Sequence, residues 1–244
     1  MEAIILAGGL GSRLRAVVPD LPKPMAPIHG RPFLEYLFDY WAGQGVSRFV
    51  LSVGYKRDII EKHFGARYKG TEVDYAVEDQ PLGTGGGLLL ALKHLRRTGP
   101  FLIMNGDTFF EVDLAPMRRY HQERRAELTV ALRQVEANSR YGSVGIDKEG
   151  KITTFDNRAR TEDRALINGG VYLAEQSAFA GMAPKSDESV SLEEHLYPRM
   201  LAEGRRMYGF PSSGRFIDIG IPEDYQRAAA LLTGGQGTSE EKRS

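Results

Sequence analysis

The sequence predicts an α/β protein with a mostly parallel central sheet and helices on both of its faces. Three observations lead there. Over residues 1–110, short apolar runs alternate with segments whose apolar residues recur at helical spacing. Glycine clusters follow the first and the third of those runs, where a strand gives way to a loop on the carboxyl side of the sheet. The composition, 41% hydrophobic and 26% charged over 244 residues, is that of a chain long enough to bury a sizeable core.

The elements follow in order. Residues 3–6 form an apolar run cut off by Gly8-Gly9, the pattern of a strand buried on both faces. Phe33, Leu34, Leu37, Phe38 and Trp41 fall on one stripe of a helix. A second strand is expected at 48–53, a short helix at 58–64, an alternating strand at 73–77, a helix at 87–95 and a fourth strand at 101–104. Ligands of such sheets bind at the carboxyl ends of the strands. The second half is richer in strands, with candidates at 128–132, 144–147, 152–155 and 167–173. Lys148-Glu149-Gly150 has the turn chemistry to join the middle two as a hairpin. Ser191-Leu192-Glu193-Glu194 reads as a capping box that opens a helix, and Pro222 suits the first turn of the last one. No linker divides the chain, so a single domain is expected over 1–232, with a flexible tail at 233–244.

Charge and composition exclude several classes. Lys+Arg and Asp+Glu both total 32, and this balance argues against nucleic acid or an anionic membrane as partner. No apolar run approaches the ~18 residues of a membrane span, and the N-terminus lacks a basic n-region, so a cytoplasmic protein is expected. The absence of cysteine excludes disulfides, thiolate nucleophiles and cysteine-based zinc sites. The histidines at 29, 63, 94, 121 and 195 show no metal-ligand spacing and are expected at the surface. The basic run 118–125 reads as a solvated helix face.

Leu6-Ala7-Gly8-Gly9-Leu10-Gly11-Ser12-Arg13-Leu14, followed by Pro22-Lys23-Pro24, carries the most information. Glycines directly after a buried strand let backbone N–H groups approach an anion. Arg13 supplies a planar fork for phosphate oxygens and Lys23 a mobile point charge, parts that suit a triphosphate. The loop is no Walker A, and Leu14 stands where Gly-x-Gly-x-x-Gly needs its last glycine. Without the two cations, the glycines would serve equally well in an ordinary turn. Asn105-Gly106-Asp107 ends the fourth strand, where a carboxylate points into the expected ligand crevice. Asp218 follows another apolar run. Either aspartate alone could cap a turn or a helix; as a pair beside a triphosphate they would clamp Mg2+. The second cluster runs from Glu78 to Gly87 and contains Gly83, Gly85 and Gly86. Its backbone could lie flat against a base or ribose while Glu78 and Gln80 read a base edge, or it could be a flexible loop capping the next helix.

In their order these motifs resemble the signature of the sugar-1-phosphate nucleotidylyltransferases. Pro81-Leu82-Gly83-Thr84-Gly85, Asn105-Gly106-Asp107, Asn168-Gly169-Gly170-Val171-Tyr172 and Asp218-Ile219-Gly220-Ile221-Pro222-Glu223-Asp224-Tyr225 carry the match to about residue 230. The resemblance implies a Rossmann-like core of the GT-A type, with a nucleotide-binding half over 1–110 and a strand-rich, sugar-binding half over 111–232. It implies that Gly8, Gly9, Gly11 and Ser12 embrace the nucleotide phosphates, with Leu6, Ala7, Thr84 and Asn105 in the same site. Arg13 would neutralise the leaving pyrophosphate, Lys23 would bind phosphate at the reacting centre, and Asp107 and Asp218 would hold Mg2+. Glu78, Pro81 and Gly83 would line the base site, while Gly106, Tyr141, Gly142, Asn168 and Asp218 would face the sugar. The implied chemistry is in-line attack by a sugar phosphate oxygen on the α-phosphorus, which needs positioning and charge stabilisation rather than a covalent nucleophile. One departure stands out. Many members carry Glu-Lys-Pro where this chain reads Phe155-Asp156-Asn157-Arg158, so Arg158 is expected to replace the lysine that contacts the sugar phosphate.

Residues 21–27, 30–36 and 51–55 are most similar to those of members that guanylylate D-glycero-D-manno-heptose 1-phosphate. Glu78 leans the same way, because two acceptor oxygens match N1–H and N2–H2 of guanine. A thymine or uracil edge would leave the second oxygen unpaired, at a cost of ~1–3 kcal/mol. Thr84-Gly85-Gly86-Gly87 is also similar to N-acetylmuramate-1-phosphate uridylyltransferases, so a uridylyl- or thymidylyltransferase stays open. So does a non-catalytic subunit that binds nucleotide sugars, against which Arg13, Lys23, Asp107 and Asp218 speak. The expected partners are an NTP and a sugar 1-phosphate, on a monomer or a homodimer.

Overall fold

The computed structural model describes residues 1–9, 11–14, 16–136, 141–156, 164–182 and 189–232. The first half runs β1 (Glu2–Leu6), β2 (Pro27–Ile28), β3 (Arg31–Pro32), α1 (Phe33–Gly43), β4 (Arg48–Val53), α2 (Arg57–Phe64), β5 (Arg67–Tyr68), β6 (Thr71–Val77), α3 (Gly83–Leu92), β7 (Phe101–Asn105) and β8 (Thr108–Phe110). The second adds α4 (Leu114–Glu123), β9 (Leu128–Glu136), β10 (Ser143–Ile146), β11 (Ile152–Asp156), β12 (Arg164–Ala174), α5 (Tyr197–Ala202), β13 (Met207–Ser212), β14 (Phe216–Asp218) and α6 (Pro222–Leu232).

Eight strands form one sheet in the order β13-β9-β12-β7-β1-β4-β6-β5. Strands β7, β1, β4 and β6 are parallel, as the alternating order of the first half predicts. β12 enters antiparallel between β7 and β9. Alternate residues of the parallel strands feed opposite cores. Ile5, Leu51 and Met104 pack with α1, α2, α4 and α6, whereas Ile4, Val50 and Ile103 pack with α3 and α5. Both faces are therefore dry, which is why these strands read as continuous apolar runs. Arg48 closes the amino end of the sheet from a buried position, bonded to Glu2 at 2.6 Å and to Asp74 at 2.5 Å. The carboxyl end is left open for a ligand.

The strand-rich second half is not a separate layer, since β9, β12 and β13 join the same sheet. The β10–β11 hairpin and β14, which pairs with β8, lie outside that sheet, and the hairpin's turn is held by Asp147 Oδ1, which accepts the N–H groups of Glu149 (3.0 Å) and Lys151 (2.8 Å). Helix α3 begins at Gly83, four residues earlier than the expected 87. The second glycine cluster is thus mostly helix rather than loop, because tertiary packing outweighs the poor helix propensity of glycine. The residue 191 cap also differs. Ser191 Oγ accepts Glu194 N–H (3.1 Å), but the Ser191 N–H is taken by His195 Nδ1 (3.0 Å) rather than by Glu194. Residues 192–196 form a π-turn, which places the residue at i+4 beneath that N–H.

His121 corrects the expectation that all five histidines lie at the surface. It is buried on the inner face of α4, with Nδ1 2.8 Å from Thr129 Oγ1, and burial pulls its pKa down from 6.5 to about 4. A folded-state pKa below the unfolded value means that only the unfolded chain takes up the proton between those limits. Stability should therefore fall as pH drops from 6.5 towards 4, by at most about 3 kcal/mol from this group. Urea unfolding of the wild type and of His121→Gln across that window tests this, and parallel losses in both would rule His121 out as the cause.

Candidate active site

A cleft of about 400 Å3 opens at the carboxyl ends of β1, β4, β6 and β7. Leu6, Ala7, Gly8, Gly9, Gly11, Arg13 and Lys23 form one wall of it. Among the described residues, the N–H groups of Gly8, Gly9 and Gly11 meet no hydrogen-bond acceptor. Gly11 sits at φ +58°, and a Cβ there would come within 3.1 Å of Lys23 Cβ. Glycine at this point lets the loop fold back on the lysine.

Lys23 reaches the aspartates that end two different strands. Its Nζ pairs with Asp107 Oδ2 and lies 3.9 Å from Asp218 Oδ1. Asp107 follows β7 and is further held by Thr108 Oγ1, which donates to its Oδ1 at 3.1 Å. Antiparallel pairing of β14 with β8 sets Asp218 opposite Thr108, and Ile219 N–H donates to the Asp107 carbonyl at 3.0 Å. Two carboxylates more than a hundred positions apart in sequence thus share one cation. Paired hard oxygen donors beside a phosphate-sized cleft fit Mg2+, which is commonly held by one or two carboxylates together with phosphate.

Glu78 ends β6 against the opposite wall. A Cβ on Gly8 would overlap its Oε1, and one on Gly87 would lie 2.7 Å from the same atom. Ser52 Oγ donates to Oε1 at 2.7 Å and Leu82 N–H to Oε2 at 3.1 Å. Both oxygens therefore have protein partners before any base arrives. The expectation that a one-donor base would leave one oxygen bare is corrected accordingly, and the unpaired-acceptor penalty no longer separates guanine from uracil or thymine.

The rest of the second glycine cluster packs against chain, not ligand. Gly85 and Gly86 N–H groups donate to Val190 O at 2.7 and 3.2 Å, and Val190 N–H returns to Leu82 O at 2.8 Å. Those two donors of the first turn of α3 are thus spent on the chain, whereas the N–H groups of Gly8, Gly9 and Gly11 meet no acceptor among the described residues. Pro81, Gly83 and Thr84 still line the cleft, but the Thr84 hydroxyl accepts Leu192 N–H at 2.9 Å and donates to Glu193 Oε2 at 3.3 Å.

A second cavity of about 180 Å3 adjoins the first and is lined by Tyr141, Gly142, Asn168 and Asp218. Asn105 borders both cavities, and its buried Oδ1 accepts no hydrogen bond from the described residues. Gly106, expected on the sugar side, lines the larger cleft instead, because its N–H donates to Leu6 O at 2.9 Å and holds it against β1. Asn168 spends its amide on Tyr172 Oη (2.7 Å) and on Gly170 N–H (3.0 Å), bracing a bulge in β12. Burial, and then the Glu193 carboxylate, push the Tyr172 phenol up. Arg158 lies outside the described residues. Sequence reading missed Ser52, Ser189 and Glu193, since a serine inside an apolar run and a glutamate in a capping box carry no motif of their own.

A family model described as nucleotidyl transferase matches residues 2–235. The chain is 43% identical over 232 residues to the D-glycero-alpha-D-manno-heptose 1-phosphate guanylyltransferase of Aneurinibacillus thermoaerophilus, covering 95% of this chain and 98% of that protein. It is 34% identical to the mannose-1-phosphate guanylyltransferase of Mycobacterium tuberculosis, over 96% of this chain and 65% of that one. Among solved structures, HddC from Yersinia pseudotuberculosis complexed with GMP-PN superposes with a TM-score of 0.82 at 34% identity, over 95% of this chain and 99% of that one.

The close packing of the second cluster has a measurable cost when disturbed. Gly83 combines φ +74° with a Cβ position 2.6 Å from Val190 O, whereas Gly30 has φ +73° in open space. Gly83→Ala should destabilise by about 2–4 kcal/mol and Gly30→Ala by only about 1 kcal/mol. Denaturant unfolding checks both, and equal losses would remove the role assigned to Val190.

Proposed function

The chain belongs to the nucleotidyl transferase family, and we propose that it transfers GMP from GTP to D-glycero-D-manno-heptose 1-phosphate or a closely related mannose-type sugar 1-phosphate. The observation that carries this reading is the cation shared by Asp107 and Asp218 beside the unsatisfied N–H groups of the first glycine loop. A phosphate oxygen of the sugar phosphate forms a bond to the α-phosphorus of GTP. The bond from that phosphorus to the bridging oxygen breaks, and pyrophosphate leaves with the electron pair. No covalent enzyme intermediate is needed.

Each residue has a positional role in that step. Gly8, Gly9 and Gly11 donate backbone N–H groups to the triphosphate, which approaches closely because no side chain intervenes. Arg13 faces the cleft and balances the pyrophosphate charge as it develops. Lys23, tethered to Asp107, neutralises phosphate where the nucleophile and the α-phosphoryl group meet. Asp107 and Asp218 would hold Mg2+, which when bound supplies Lewis-acid stabilisation of the phosphoryl charge. Glu78, fixed by Ser52 and Leu82, keeps further lone pairs with which to accept from a base edge. The sugar enters the second cavity, one side of which is formed by Tyr141 and Phe216, whose rings pack edge to face at 5.8 Å.

Guanine rests on the relatives' named activities. The two protein donors already on the Glu78 carboxylate leave one rival open, a transferase of uridylyl or thymidylyl groups. A non-catalytic sensor is disfavoured, because Arg13, Lys23, Asp107 and Asp218 are all in place around the cleft.

Pyrophosphate release over a panel of nucleotides and sugar 1-phosphates tests the proposal. GTP with a mannose-type heptose 1-phosphate should exceed UTP and dTTP, and a panel in which GTP never leads would defeat the guanine assignment. With the preferred pair, Asp107→Asn and Asp218→Asn should each lower kcat about 100-fold or more at saturating Mg2+. Full activity in either folded variant would remove that aspartate from the reaction.

A further inference from the structure

We infer that Glu193 determines which sugar the second cavity accepts, by taking hydrogen bonds from hydroxyl groups at the end of the ring remote from the phosphate. This deepens the function proposed above and rests on it. Three carboxylates line that cavity, those of Asp156, Glu193 and Asp218. Asp218 is committed to the shared lysine and to Gly220 N–H, which it accepts at 2.6 Å. Glu193 is braced on one side only. Its Oε2 accepts Ser191 Oγ (3.1 Å) and Thr84 Oγ1 (3.3 Å), while Oε1 accepts no hydrogen bond from the described residues.

The brace matters because a rigid acceptor discriminates better than a mobile one. Glu193 stands in the π-turn that opens α5, and Leu192, Leu196 and Tyr197 bury that turn in the core. Thr84, which lines the nucleotide cleft, holds the same carboxylate, so the two subsites share a wall. An ionised carboxylate also repels a sugar phosphate dianion. The phosphate is thereby directed towards Lys23 and the hydroxyl-bearing end towards Glu193. An oxygen with two lone pairs accepts from hydroxyls and offers nothing to an amide carbonyl or a second anion, which selects neutral polyhydroxylated rings.

Steady-state kinetics with GTP and mannose or heptose 1-phosphate test this in Glu193→Gln and Glu193→Asp. Loss of one charge-assisted hydrogen bond should raise KM for the sugar phosphate about tenfold or more, with KM for GTP changed less than about twofold. Monodeoxy analogues of the acceptor supply the second arm. One of them should show the same loss on the wild type and no further loss on Glu193→Gln. An equal rise in KM for GTP would reduce Glu193 to a structural prop and overturn the inference. A wild type indifferent to every deoxy analogue would overturn it as well, even if neither variant folds. A wild type that turns over no sugar 1-phosphate would defeat the proposed function, and this inference with it.

Discussion

One lysine held between two aspartates organises the carboxyl edge of this protein. Asp107 and Asp218 close to within reach of the same Nζ, and without a cation between them like charges would repel. Three chain segments must meet for the cluster to exist. β7 delivers Asp107, the pairing of β14 with β8 delivers Asp218, and the left-handed Gly11 folds the first loop back so that Lys23 arrives. One lysine against two carboxylates leaves net negative charge, a balance suited to a divalent cation and to a phosphate chain gripped by neutral N–H groups.

The two glycine clusters look alike in sequence and do different work. The first leaves its N–H groups facing the cleft. The second has spent those of Gly85 and Gly86 on Val190, and its missing side chains make room for Glu78, Ser52 and Val190. Close approach to the chain is a requirement of both, since Gly8 lies against Glu78 and Gly11 against Lys23, and the difference lies in which N–H groups are left without an acceptor among the described residues. The bulge at Asn168 to Tyr172 follows the same logic, since side chains on Gly169 and Gly170 would collide with Phe110 and press on Asn105.

Much of the fold was legible because both faces of the central strands are buried. Runs such as 48–53 have no other use in a chain of this composition, and the stripe from Phe33 to Trp41 has the helical period. Less legible were features whose signal is tertiary. His121 lies in a basic run that reads as solvent-facing, yet its own position on α4 turns inward. Helix α3 starts in a glycine cluster that propensity assigns to a loop. Glu193 is written in sequence as part of a cap, and only the fold turns it into a wall of the second cavity.

By itself, the sequence determined the alternation of strands and helices, the neutral and cysteine-free chemistry, and the residue types able to meet a phosphate. Those follow from local periodicity and from which side chains are present at all. Only the tertiary structure decided that both Glu78 oxygens already have protein donors, that the Gly85 and Gly86 donors of α3 are capped, and that residues 23, 107 and 218 share one charge. Hydrogen bonds and ion pairs between distant segments depend on where the chain returns, and no local pattern encodes that return.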